Sequence, residues 1–222
     1  MSDLNQLLLK LKHDQNFEDE DFFISESNKH VFDLLNNWPK WEKNFLNIYG
    51  ENFSGKTHLV NIFLKKFKGI NFESNLLSDE NLKEIKLHQN VILENLDDKI
   101  NEKLIYTLFN IIDQDNKYLI TTSNIEISNI SFALADLKSR TKNFILVNLD
   151  IPDDNLISAL LLKNLSDRQI SIDKKLIHFI IKRIDRSYSK IFDFIYKIDE
   201  ISLKKKKSID FKIIKDVLEN YS

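Results

Sequence analysis

The chain has 222 residues, 42% of them hydrophobic and 30% charged, with two prolines, three glycines and no cysteine; it is long enough for an α/β domain plus a small second one, and it excludes disulfides and thiolate metal sites. The net charge of −2 conceals a contrast: residues 151–222 carry 15 Lys and Arg against 11 Asp and Glu, whereas residues 1–150 carry 17 against 23. The opening MSDLNQLLLKLK lacks a signal-peptide core and no apolar run reaches membrane-spanning length, which predicts a cytoplasmic protein with no membrane partner.

In chain order, SES (25–27) before NKHVFDLLNNW reads as a capped helix. FLNIYG (45–50) reads as a strand, and the helix GKTHLVNIFLKKF behind it puts Leu59, Ile62, Phe63 and Phe67 on one face. GINFE (69–73) and NVILENL (90–96) are strands. INEKLIYTLFNIIDQ is a helix that groups Leu104, Leu108, Ile111 and Ile112. YLITTS (118–123) and FILVNL (144–149) complete five runs that alternate only weakly, as strands buried on both faces do. Strand–helix alternation of this kind predicts a parallel sheet flanked by helices.

After IPDD (151–154) the strands stop. Helical patterns run through DNLISALLLKNLSD, DKKLIHFIIKRID, SYSKIFDFIYKIDEIS and DFKIIKDVLEN, each behind Asp or Ser at a cap position. In the third, Tyr188, Ile191, Phe192, Ile195 and Ile198 form a stripe that reads as core. The division expected is a lead-in over 1–20, an α/β nucleotide-binding domain over 21–150 and a small all-α subdomain over 151–222. LKKKK (203–207) is either a solvated helix face or a nucleic-acid contact.

Two of the three glycines fall in GENFSGKT, residues 50–57, which matches G-x-x-x-x-G-K-[ST] between a strand and a helix. Gly50 and Gly55 let the backbone turn so that successive N–H groups of Glu51, Asn52, Phe53, Ser54 and Gly55 can face phosphate, and the helix start adds partial positive charge. Lys56 is placed to reach the β- and γ-phosphates, and Thr57 to offer a hydroxyl to Mg²⁺. The pattern predicts binding of ADP or ATP with Mg²⁺. NVILENLDD supplies Glu94 at a strand end, either an ordinary acid or the carboxylate that holds Mg²⁺ through water. The next position, where a catalytic carboxylate often polarises water, is Asn95, and an amide cannot take water's proton. Intrinsic hydrolysis is therefore expected to be weak.

Together these residues resemble the AAA+ ATPases, and within them the DnaA/Hda family, most closely its short Hda branch. The resemblance rests on the phosphate loop with its GKTHL continuation through His58, on YLITTSN, on LADLKSRT, on KRIDRSYSKIF and on FFISESN, and it covers the chain from about residue 20 onward. It implies that Asn124 is the sensor-1 residue, that Arg140 ends box VII as an arginine finger acting in trans, and that Arg186 is the sensor-2 arginine of a helical lid. It also implies that the segment containing Ile24 lies beside the adenine. Arg183, one turn before Arg186, is the alternative for the lid role, and an ion pair with Asp185 or Asp193 is the plain structural alternative for either; for Arg140 the plain alternative is a capping arginine near a helix end.

The resemblance also colours NQLLLKL (5–11), whose Gln6, Leu7, Leu9 and Leu11 otherwise read as the start of an amphipathic helix. In the family's short branch such a segment is an extended peptide that binds the DNA polymerase III sliding clamp (β subunit). The chain has no room after the lid for DnaA's DNA-binding domain, so DNA contact is expected mainly through the clamp, with nucleoid association as the consequence. The implied function is regulation of replication initiation by stimulating ATP hydrolysis in DnaA, homo-oligomer formation being left open. The alternatives are a helicase-loader-like remodelling ATPase and a clamp-binding adaptor whose nucleotide is structural.

Overall fold

The computed structural model describes residues 22–205 and 209–219. The first part of the chain runs α1 (Lys29–Asn36), β1 (Phe45–Tyr49), α2 (Lys56–Phe67), β2 (Ile70–Glu73), α3 (Asp79–Ile85), β3 (Asn90–Leu96), α4 (Glu102–Gln114), β4 (Tyr118–Ser123), α5 (Ala135–Arg140) and β5 (Phe144–Asn148). The second part runs α6 (Asp154–Asp167), α7 (Lys174–Ile181), α8 (Tyr188–Lys205) and α9 (Phe211–Glu219). The strands pair in parallel in the order β2-β3-β4-β1-β5. The fold is therefore the expected P-loop α/β sheet followed by a helical lid. No helix among the described residues is long and apolar enough to cross a membrane.

Strand residues alternate between two cores. Leu46, Ile48, Ile92, Ile120 and Val147 face α1 and α2, where Val31, Leu59, Val60 and Phe63 are buried. Phe45, Val91, Leu93, Leu119 and Phe144 face the other side, against Ile105, Leu108, Phe109 and Ile112 of α4 and Leu137 of α5. With helices on both faces, the strands need apolar side chains in both directions, which is why their sequences read as continuous hydrophobic runs. On α4 the buried stripe is Ile105, Leu108, Phe109, Ile111 and Ile112; Leu104 is only partly buried.

The lid has its own core, built around Leu161, Leu165, Ile180, Ile191, Ile195, Ile198 and Ile214. One expectation is corrected here. Phe194, 2% exposed, fills the core position of α8, while Phe192 is only partly buried against it. Phe192 points instead toward Phe53 of the phosphate loop, with ring centroids 5.0 Å apart. Phe192 and Phe194 lie on opposite flanks of the stripe, and helical spacing alone does not say which flank the core covers.

Helices α3 and α5 were not anticipated from sequence. Helix α3 begins with a capping box: Ser78 Oγ accepts from Asn81 N–H, and Asn81 Oδ1 accepts from Ser78 N–H at 3.0 Å. Ser78→Ala is expected to lower stability by about 1 kcal/mol, a shift readable as a lower urea midpoint with an unchanged denaturant slope.

Candidate functional site

Parallel pairing brings the C-terminal ends of the strands to one edge, with Tyr49 opposite Ser123 on one side and Asn148 on the other. Chain order reverses around β1, and the carboxyl edge at such a point is where open α/β sheets bind ligands. The loop Gly50–Thr57 opens there. A Cβ on Gly50 would lie 3.1 Å from both the carbonyl oxygen and Cβ of Leu149. Gly55 caps α2 at φ +96°, and a Cβ there would stand 3.2 Å from the Phe22 ring. Between them Phe53 adopts φ +67°, a conformation that costs a non-glycine residue about 1–2 kcal/mol. Asn52 and Phe53 are exposed, Ser54 is buried, and Thr57 and His58 are half-buried.

Lys56 is buried, and its Nζ donates to Gly50 O at 2.7 Å, to Glu51 O at 2.9 Å and to Asn124 Oδ1 at 3.3 Å. Burial pushes the lysine pKa down to about 8, against the opposing pull of the Glu51 and Glu94 carboxylates. One ammonium thus gathers the loop's own carbonyls and the residue that follows β4. Behind it, buried Asn47 of β1 donates to Thr121 Oγ1 at 3.0 Å and to Ser123 Oγ at 2.9 Å, and its Oδ1 accepts from Ile127 N–H at 3.0 Å. This amide fixes the end of β4, and so Asn124, relative to the loop. It is a positioning residue that no motif marks.

Glu94 is 3% exposed. Its Oε1 accepts from Asn71 Nδ2 at 2.6 Å, and its Oε2 is buried with no hydrogen-bond partner among the described residues. A buried carboxylate oxygen without a donor is costly; the donor set fits water on Mg²⁺, with Thr57 at the start of α2. Among the described residues no three His, Asp or Glu side chains gather to hold a metal alone. Magnesium at a phosphate site draws ligands from phosphates and water and does not need such a cluster.

Asn95 is a bulge residue. The register advances by three on β3, from Leu93 to Leu96, while β4 advances by two, from Thr121 to Ser123. Asn95 takes φ +57°, donates its N–H to Thr122 Oγ1 at 3.0 Å, and turns its side-chain amide to Glu73 Oε2 at 2.9 Å. Asparagine tolerates this left-handed conformation. The side chain next to Glu94 is therefore committed to β2.

The lid meets the loop through Glu51. Its carboxylate accepts from Ser187 Oγ, from Tyr188 N–H at 2.9 Å and from Ser189 N–H at 3.0 Å. Tyr188 Oη donates to Asp150 O at 3.1 Å. Arg186 pairs with Asp154 at 2.5 Å, not with Asp185 or Asp193, because the turn before α8 faces the start of α6. Arg183 lies with Arg186 in the turn between α7 and α8, not on a helix, and stacks at 3.9 Å over the ring of Phe179 from the preceding α7. Among the two arginines, Arg186 is the one beside the residues that touch the loop. A cleft of about 390 Å³ opens beside this junction, lined in part by Gly50, Glu51, Asn124 and Tyr188.

On the N-terminal side, the Phe22 ring packs edge-on against His58 at 5.3 Å, and Ser27 N–H donates to Asp153 Oδ2 at 3.3 Å. The segment with Ile24, which is 42% exposed, therefore lies alongside both the loop and the lid. Arg140 stands elsewhere. It ends α5 just before β5, and its guanidinium contacts Asp113 Oδ2 at 2.7 Å and Asn110 Oδ1 at 2.6 Å, 5.3 Å over the Tyr106 ring. The length of β5, about 16 Å at the usual rise per residue, separates this edge of the sheet from the phosphate-loop edge. Gln6, Leu7, Leu9 and Leu11 lie outside the described residues, as do Lys206 and Lys207. Lys204 pairs with Glu200 at 2.5 Å, as on a solvated helix face.

Residues 153–218 match the family described as Hda, lid domain. The chromosomal replication initiator protein DnaA of Buchnera aphidicola subsp. Cinara cedri (strain Cc) is 24% identical over 96% of this chain and 55% of its own length; the chain thus spans about half of that relative. Among solved structures, domain III of the Thermotoga maritima replication initiation protein DnaA superposes with a TM-score of 0.70 at 17% identity, covering 92% of this chain and 96% of that one. AMPPCP-bound DnaA from Aquifex aeolicus gives 0.64 at 18% identity, covering 84% and 68%.

Proposed function

We propose that this chain, a AAA+ protein of the DnaA/Hda type, is a nucleotide-bound regulator of replication initiation that acts on DnaA. ADP is held by Gly50–Thr57, with Mg²⁺ between Thr57 and, through water, Glu94. Asn124 and Arg186 complete the site from β4 and from the lid, and the Ile24 segment borders the base. Arg140 serves a neighbouring DnaA protomer, stabilising charge on its transferring phosphoryl group. Gln6, Leu7, Leu9 and Leu11 tether the protein to the DNA-loaded polymerase III sliding clamp, which places it in the cytoplasm at the nucleoid.

One observation carries this reading. Lys56 gathers the phosphate loop at one end of the strands, while Arg140 is held by Asp113 just before β5, at the other end of that strand; this separation supports a role for Arg140 on another molecule's nucleotide. The commitment of Asn95 to Glu73 favours a regulator over a turnover motor, since the position beside Glu94 offers no base. Calorimetric titration with ADP, and sedimentation with ATP-loaded DnaA and with clamp, test the proposal. Gln6→Ala combined with Leu9→Ala is expected to weaken clamp binding at least about tenfold and to leave ADP affinity unchanged. Unaltered clamp binding would remove the tether from the account.

A further inference from the structure

The phosphate loop touches helix α8 at two points, and neither contact belongs to the nucleotide-binding pattern. The first is Glu51. The start of a helix leaves N–H groups without intrahelical partners, and these are normally capped by a residue just upstream. Here Ser187 Oγ takes Lys190 N–H at 3.4 Å, and a second acceptor comes from 137 residues away: the Glu51 carboxylate takes the N–H groups of Tyr188 and Ser189 and the hydroxyl of Ser187. The second is Phe53, held in a left-handed conformation with its ring 5.0 Å from that of Phe192. Ser187, Tyr188, Ser189 and Phe192 span little more than one turn of the chain at the start of α8, directly after Arg186.

The electrostatics agree. Burial opposes ionisation of Glu51, yet the hydrogen bonds from Ser187, Ser189 and Tyr188 outweigh it and hold the carboxyl below its ordinary value. The same carboxylate attracts the Lys56 ammonium. One side chain thus senses the lysine that would meet phosphate and also fixes the helix that carries the lid arginine.

We propose that Glu51 and Phe53 form a clasp between the phosphate loop and α8, acting as positioning residues that set Arg186 and thereby the residence time of the nucleotide. The clasp rests on the reading that nucleotide occupies Gly50–Thr57. When phosphates order the loop, Glu51 and Phe53 carry that order to α8. When the loop relaxes, the helix start loses its cap and the lid loosens. Nucleotide state is then written on the lid surface, where a partner protein can read it.

The test uses the full chain with fluorescent mant-ADP. Dissociation is followed by stopped flow, and hydrogen exchange is followed at the Tyr188 and Ser189 amides with and without ADP. In the wild type, ADP is expected to slow exchange at both amides. Glu51→Ala is expected to release mant-ADP at least tenfold faster and to abolish the ADP effect on exchange, with Glu51→Asp recovering part of each. Phe192→Ala, on a partly exposed face, is expected to speed release severalfold in a fold that stays intact. Wild-type release rates in both Glu51→Ala and Phe192→Ala, or an undiminished ADP effect on exchange in Glu51→Ala, overturn the clasp. A wild type that does not bind mant-ADP overturns the nucleotide site itself, and the clasp with it.

Discussion

Arg140→Ala is expected to bind ADP with wild-type affinity and to lose on the order of 10³-fold in its ability to speed ATP hydrolysis by DnaA. The first half follows from position. Arg140 ends α5 at the edge of the sheet away from the phosphate loop, and its contacts are Asp113, Asn110 and Tyr106. The second half follows from chemistry. A guanidinium presents fixed donors to the oxygens of a transferring phosphoryl group, and such a finger acts where charge develops in the transition state. The fold should tolerate the change. The Asp113 pair is partly exposed, with side chains 29% and 52% accessible, and such pairs contribute about 1 kcal/mol or less. Arg140→Lys keeps the charge but loses the fork, so it should restore only a small part of the stimulation. Single-turnover hydrolysis by ATP-loaded DnaA with DNA-loaded clamp, each variant at saturating concentration, reads the effect directly.

Lys56→Ala is expected to weaken ADP binding at least about 100-fold, the effect of losing charge-assisted hydrogen bonds to phosphate in a buried setting. The loss should be in affinity, with the fold retained. Burial already disfavours the Lys56 ammonium, whose pKa is pushed down to about 8, so deleting it removes a desolvated charge. The cost on the other side is that Gly50 O, Glu51 O and Asn124 Oδ1 lose their shared donor. Calorimetric titration with ADP measures the affinity, and urea unfolding without nucleotide measures the remainder. If Lys56→Ala binds ADP as tightly as the wild type, the phosphate-loop assignment is wrong.

The elements that could be read from sequence are those in which local chemistry and global fold agree. The runs at Asn90–Leu96 and Tyr118–Ser123 are strands at the expected limits because both faces are buried, and α6 spans Asp154–Asp167 as its cap and periodicity indicate. The phosphate loop was legible because glycine is so rare in this chain that two glycines five apart stand out. Short helices were not legible. Helices α3 and α5 have seven and six residues, less than two turns, and periodicity needs a longer window. The bulge at Asn95 was hidden inside an unbroken strand pattern, since a left-handed asparagine leaves no mark on the hydrophobic sequence.

Long-range polar contacts were the least visible. The pairing of Glu51 with the start of α8 joins residues 137 positions apart in the chain. The pairing of Arg186 with Asp154 likewise depends on how α6 packs against the turn before α8. Asn47 looks like an ordinary strand residue until β4 is placed beside it. These contacts create the site's geometry, and they exist only once the chain has folded.

We propose that this protein acts outward, onto the nucleotide of DnaA. The most direct test is the single-turnover rate of ATP hydrolysis by ATP-loaded DnaA with DNA-loaded clamp, before and after adding the ADP-bound wild-type protein. The predicted result is an acceleration on the order of 10³-fold that needs both the protein and the clamp. An unchanged rate, with both proteins folded and the ADP and clamp sites occupied, would contradict it.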